Sequence, residues 1–248
     1  MIQVAGAILA IVISLCWYLP GIKAQGENKV LTRKDYIRTA FMYGFLFTCL
    51  LIIITEITWD GIVKRTPLSG LSKDIISDFL RAALLEELFK FLGFKLAKKK
   101  LGLTRKTDYI MIAGLMGLVY GIVEKAVQGN LVAIVMGLLI PLHIMWQFNQ
   151  GGHYYEYERQ KEAGNAALAR KEWMMAIILP FILHGLWDSG LDISSYFINL
   201  EPIGFQILGF LIFVLLLILG AIYSVKTLKK VKSVAKDSYL PNQENYTV

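Results

Sequence analysis

Glu86 and Glu87 stand side by side in the run Leu84-Leu85-Glu86-Glu87-Leu88-Phe89-Lys90-Phe91-Leu92, which otherwise reads as a membrane-spanning helix. A charge facing lipid at mid-bilayer costs about 2.5–3.5 kcal/mol, whereas each apolar neighbour returns only about 0.3–0.6 kcal/mol. Arg81, Glu86, Glu87 and Lys90 therefore cannot all face hydrocarbon. The helix has to turn its charges into a protein-lined or water-filled interior, which makes them candidates for a functional site. Glu86 lies four residues before Lys90 and shares its face; Glu87 lies three before it. A single ion pair needs one carboxylate. Two carboxylates beside one cation in low dielectric hold their protons differently, and that is what acid–base chemistry requires.

Further polar residues recur in other apolar runs. His143 is followed by Gln147 and Gln150, a polar stripe on one helix face. His184 and Asp188 are four apart and can either bind one metal together or form a histidine–carboxylate pair. Gly114, Gly117 and Gly121 precede Glu124; Gly117-xxx-Gly121 is a close-packing signature, and Glu124 continues that face. Lys125 beside it fits an interfacial charge equally well. Glu, His, His and Asp are oxygen and nitrogen donors that suit zinc with an open position for water. Hydrolysis without metal is the alternative, with Glu86 activating water and the histidines stabilising an oxyanion. There is no HExxH, no GxSxG and no spaced pair of intramembrane aspartates. His153 sits just past the end of its span, and Cys16 and Cys49 read as small apolar residues with no CxxC spacing.

The elements that must position these groups follow from composition. The chain has 248 residues, is 56% hydrophobic, has a mean hydropathy of +0.53 and is only 18% charged; soluble domains carry about 25% charge. The fold class expected is all-α, a polytopic transmembrane bundle of about seven spans, at roughly 2–20, 39–57, 75–94, 108–127, 131–150, 173–197 and 203–224. The first run lacks a basic start and is long, so it reads as a retained helix rather than a cleaved signal. Residues 1–225 form a single membrane domain, with the motif-bearing part at about 75–192, and 226–248 a basic, then polar tail. The net charge of +7 is a topology signal and no pointer to nucleic acid. Apart from Arg81 and Lys90 within a span, the basic residues of one side are Lys64, Arg65, Lys73 and, at the end of its span, Lys125, and all the others fall on the opposite side. The positive-inside rule then puts the N-terminus outside and the C-terminus in the cytoplasm of a multi-pass cell-membrane protein. With 1.5 Å of rise per residue, Glu86, His143 and His184 each lie roughly 16–18 Å from an interface, near mid-membrane, with Glu124 closer to the outer surface.

Taken in order, Glu86-Glu87-Leu88-Phe89-Lys90, Gly121-Ile122-Val123-Glu124, His143 ahead of Gly151-Gly152, and His184-Gly185-Leu186-Trp187-Asp188 resemble the PrsW family of intramembrane proteases, distant relatives of the CAAX-type prenyl-protein endopeptidases. The resemblance covers roughly residues 75–192. It implies a multi-pass membrane protease acting on a membrane-anchored protein, with anti-sigma factors at the first proteolytic step among the family's substrates. It further implies Glu86 as the water-activating residue and Glu87 as its partner. His143 and His184 become ligands or oxyanion donors, and Lys90, Glu124 and Asp188 supporting groups. A zinc ion, if used, would be held from Glu87, His143, His184 and Asp188. Asp188 stands where the CAAX-type relatives often have Asn, and Lys125 where the family often has a polar residue. The rival reading is a non-enzymatic membrane protein, a proton-coupled carrier or an interaction scaffold, since carboxylates and histidines in spans also build proton relays. A green fluorescent protein fused after Val248 is expected to fluoresce, because it would fold in the cytoplasm; a dark fusion with an active periplasmic reporter in its place would reverse the topology.

Overall fold

The computed structural model describes residues 34–55, 70–128 and 142–237, together with Val12, Cys16, Tyr18, Leu19 and Pro67. The described residues form helices joined by short turns, with no strand among them. In chain order the helices are α1 (Lys34–Ile54), α2 (Gly70–Ser77), a π-helical segment (Asp78–Leu85), α3 (Glu86–Leu101), α4 (Lys106–Gln128), α5 (Leu142–Glu162), α6 (Ala166–Ile198) and α7 (Ile203–Asp237). From α2 to α3 the chain is one unbroken rod whose middle is wound in the π form. The rod stops at Gly102, which takes φ 60° and donates its N–H to the Lys98 carbonyl. That left-handed cap suits glycine, and Lys98, Lys99 and Lys100 in the last turn face the negative end of the helix dipole.

Four helices are long and apolar enough to cross a membrane: Lys34–Ile54, Lys106–Glu124, Ala166–Ile198 and Ile203–Val234. The sequence reading has about seven spans. Of these, nearly all of 2–20 and the first part of 131–150 lie outside the described residues. The rod from Gly70 to Leu101 and helix α5 are long, but they are not among the four. The reason is chemical: these two carry Glu86, Glu87, Lys90, His143, Gln147 and Gln150. Helices too polar for lipid must be wrapped by others. Accordingly α5 packs between α4 and α6, and α3 packs against α1 and α4. Helix α4 is the hub, with 78% of its apolar window buried, against 11% for α7, which lies on the outer side of α6 and leaves most of its surface for lipid.

The glycine face of α4 is what lets α5 close in. A Cβ on Gly117 would sit 2.5 Å from the His143 carbonyl oxygen and 2.8 Å from Gln147 Cγ, and one on Gly121 3.2 Å from the His143 ring. The approach is reciprocal, since a Cβ on Gly151 of α5 would lie 2.5 Å from the Tyr109 carbonyl. The last helix also departs from the sequence reading. It does not end near 224 but continues to Asp237, carrying Lys226, Lys229, Lys230 and Lys232. Asn149 of α5 holds it there, with Nδ2 2.7 Å from the Tyr223 hydroxyl and 3.3 Å from Thr227 Oγ1, and Val231 is buried in the core. Near the same end, Lys98 pairs with Glu158 at 2.6 Å, Lys106 with Glu156 at 2.5 Å and His153 with Glu172 at 2.6 Å. Gly117→Ala is expected to destabilise the protein by about 1–3 kcal/mol, because the backbone it meets cannot swing aside; a thermal melt in detergent unchanged from wild type would contradict this.

Candidate active site

The charges of α3 are placed by two neighbours. Glu87 and Lys90 turn fully inward, each 2% exposed, while the Glu86 side chain keeps 13% of its surface. Lys90 Nζ donates to Glu87 Oε1 at 2.7 Å and lies 3.5 Å from Glu86 Oε2, so one lysine serves both carboxylates, as their spacing requires. Its ammonium also stands 4.1 Å over the Tyr120 ring, a cation–π contact in a desolvated place.

Glu87 is saturated. Its Oε1 takes Lys90 and, at 3.0 Å, His184 Nδ1; its Oε2 takes the Gln147 amide at 2.8 Å. Glu86 is the opposite. Its Oε2 is buried and makes no hydrogen bond, with Lys90 Nζ at 3.5 Å and His184 Nε2 at 3.8 Å. Two adjacent residues of one type thus have different situations, one locked and one with an oxygen to spare.

The histidines complete the cluster. His184 is buried, with Nδ1 on Glu87 and Nε2 3.1 Å from Asp188 Oδ2. His143 has Nδ1 at 3.0 Å from Lys90 Nζ and Nε2 at 2.7 Å from Glu124 Oε2. An ammonium has only hydrogens to offer, so Nδ1 accepts and the ring proton belongs on Nε2, facing the Glu124 carboxylate. The two imidazoles lie 5.2 Å apart, and Trp146 stacks on His184 at 4.6 Å. Gly185 admits the helix that carries the glutamates: a Cβ there would fall 2.5 Å from the Phe79 ring in the π-helical segment.

Glu86, Glu87, Lys90, His143, His184, Glu124 and Asp188 are therefore all brought together, from α3, α4, α5 and α6. Glu124 belongs to the cluster more closely than its position along α4 suggests, because Gly117 and Gly121 bring His143 up against its helix. His153 stands apart on Glu172. Trp146, Tyr120 and Gln147 are contributors beyond the candidate residues. Gln147 was visible as part of the His143 stripe, whereas nothing separated Trp146 and Tyr120 from other membrane aromatics.

A metal has a fitting place. Glu86, His143 and His184 can each turn one ligand atom to an ion, and these atoms lie within 4.8 Å of one another, His143 by exchanging Lys90 or Glu124 for it. The set is two imidazoles and a carboxylate, one of whose oxygens is buried without a hydrogen bond, and it suits a zinc-like ion. Glu87, with both oxygens engaged, and Asp188, turned onto His184, lie around this trio rather than in it.

Helices of this polarity, closing carboxylates and histidines inside an otherwise apolar bundle, define a membrane protein with a buried ionisable site, and comparison with known proteins gives its family. Residues 33–219 match the PrsW family, described as intramembrane metalloproteases, and the chain belongs to that family. Its relatives include Protease PrsW of Clostridioides difficile (strain 630), 27% identical over 193 residues, which cover 73% of this chain and 76% of that protein. No solved structure matches.

Lys90→Met would leave Glu87 buried without its counter-charge. Breaking a buried pair from one side costs about 3–5 kcal/mol, so the variant is expected to melt well below wild type. Lys90→Met/Glu87→Gln, which removes both charges, should recover part of that loss, and a double-mutant cycle in detergent that shows no recovery would contradict the coupling.

Proposed function

We propose that the protein is an intramembrane endopeptidase that hydrolyses a peptide bond of a membrane-anchored protein, with Glu86 as the residue that takes the proton of the attacking water. The observation that carries this reading is the meeting of Glu86, His143 and His184, from three helices, within 4.8 Å. Glu86 has the oxygen not committed to a hydrogen bond, and Lys90 beside it offsets the charge that it gains and loses. Glu87 is a positioning residue. It fixes His184 through Nδ1 and thereby turns Nε2 toward Glu86 and Asp188, the way carboxylates orient ligating histidines. Glu124 does the same for His143 through Nε2.

Glu86, His143 and His184 are the residues that would hold a zinc ion. When bound, such an ion supplies Lewis acidity, polarising a carbonyl and acidifying water. Glu86 has two oxygens, so holding an ion and accepting a proton do not exclude one another. The Lys90 ammonium is the positive group nearest to where an oxyanion would form, with the imidazole N–H groups as further donors, and together they stabilise it in low dielectric. Anti-sigma factors and other single-pass proteins are the substrate class we favour, on the family resemblance, with the cut near the membrane midplane.

Purified protein in nanodiscs, given a panel of single-pass reporters, is expected to cleave at least one. Glu86→Gln, His143→Ala and His184→Ala should each lower the rate by about 10²–10⁴-fold while still inserting and melting cooperatively. Full activity of Glu86→Gln would overturn the mechanism. Elemental analysis is expected to find zinc that His184→Ala loses, and active, metal-free wild-type protein would remove zinc from the account.

A further inference from the structure

A base that takes a proton from water works only if its carboxylate is aimed. Glu87 fixes His184, and Glu124 fixes His143, but Glu86 needs a holder of its own. Lys90 is not that group. Its Nζ donates to Glu87 and stays 3.5 Å from Glu86 Oε2, which is buried and makes no hydrogen bond. The side chain that does reach Glu86 with a hydrogen bond is Tyr120, through its hydroxyl. A phenol carries its proton at neutral pH, so the hydroxyl donates and the carboxylate accepts. Glu86 is thereby tethered to α4 while one of its oxygens stays uncommitted.

Tyr120 is placed for this by its helix and by its ring. Gly117, Tyr120, Gly121 and Glu124 recur at the spacing of one face of α4. The glycines let α5 approach, and the tyrosine between them reaches over to α3. Its side chain is buried. Lys90 Nζ stands 4.1 Å over the ring, and the His143 ring centre lies 5.8 Å away. Two site residues therefore hold the ring. The carboxylates that act on the hydroxyl are Glu86 first, then Glu124 and Glu87. A cation on the ring face draws electron density from the ring, which makes the O–H a stronger donor, and low dielectric strengthens the bond further. Phenylalanine would cover Lys90 equally well, so the ring alone does not account for the oxygen.

On the assignment of Glu86 as the base, we propose that Tyr120 is a positioning residue of the hydrolytic site, whose hydroxyl holds the Glu86 carboxylate so that one oxygen is free for the attacking water. Tyr120 acts through Glu86 and makes no contact with substrate of its own.

Tyr120→Phe removes one oxygen and keeps the ring over Lys90 and against His143, so the variant is expected to insert and melt like wild type. For a cleaved reporter in nanodiscs, kcat should fall by about 10–100-fold with KM unchanged. In a Glu86→Gln background the same substitution should cost nothing further, because residues that act as a unit are not additive. An unchanged kcat, or a rise in KM alone, would overturn the proposal. So would a full further loss on top of Glu86→Gln, which would make Tyr120 an oxyanion donor in its own right. The hydrogen bond itself is read without proteolysis: the phenol C–O infrared band that Tyr120→Phe removes should move in Glu86→Gln. If Tyr120→Phe does not fold, fluorotyrosine is placed at position 120, and its fluorine NMR shift should respond to Glu86→Gln in the same way. A signal that stays in place sinks the proposal even if no reporter is cleaved. A signal that moves while every reporter stays intact retains the link between the two side chains and puts the failure in the hydrolytic reading.

Discussion

A carboxylate does not stay ionised inside a bilayer without a counter-charge, and Glu87 is where this protein meets that condition. Lys90 reaches it from its own helix, Gln147 from α5 and His184 from α6. A single buried side chain thus joins three helices at one point. In low dielectric each of those bonds is strong, and each would be costly to leave unmade. The exact register of α3, α5 and α6 is set there, and the positions of Glu86, His143 and Asp188 follow from it.

That requirement explains an arrangement that hydropathy alone hides. The helices apolar enough to cross a membrane by themselves are not the ones richest in site residues. The rod from Gly70 to Leu101 and helix α5 are polar because they carry the chemistry, and they depend on α1, α4 and α6 for cover. Helix α7, largely exposed and apolar, gives the bundle its lipid surface. At Tyr223, Ser224 and Thr227 it turns polar groups inward, two of them onto Asn149 of α5.

The candidate site was legible in the sequence wherever a residue was expensive. Glu86, Glu87, Lys90, His143 and His184 stood out because a charge or an imidazole in an apolar run demands a reason, and the structure brings all of them together. Gly117 and Gly121 were legible because helices touch closely only at small residues. What stayed hidden was cheap or symmetric. Trp146 and Tyr120 cost nothing in a membrane helix and so carried no signal. Glu124 was obscured by Lys125 and by a depth argument that took the helices as straight, parallel rulers. Spacing to Lys90 and the family resemblance singled out Glu86 over Glu87, but which of the two is locked by hydrogen bonds could not be read, because adjacent glutamates differ only in which neighbours reach them. The extent of α7 was missed for a related reason: its basic residues suggested a solvated tail, but Thr227 and Val231 supply enough inward contact to carry the helix on.

The π-helical turn from Asp78 to Leu85 has a mechanical meaning. Phe79 fits against Gly185, and Glu87 meets His184, so two residues eight apart on the rod both turn onto α6. In a regular α-helix residues eight apart diverge by about 80°, whereas the wider π winding, with about 4.4 residues per turn, brings them nearer to two full turns. The rod therefore behaves like a shaft with a fixed twist built into it, and the aromatic grip at one end and the ionic grip at the other hold that twist in place.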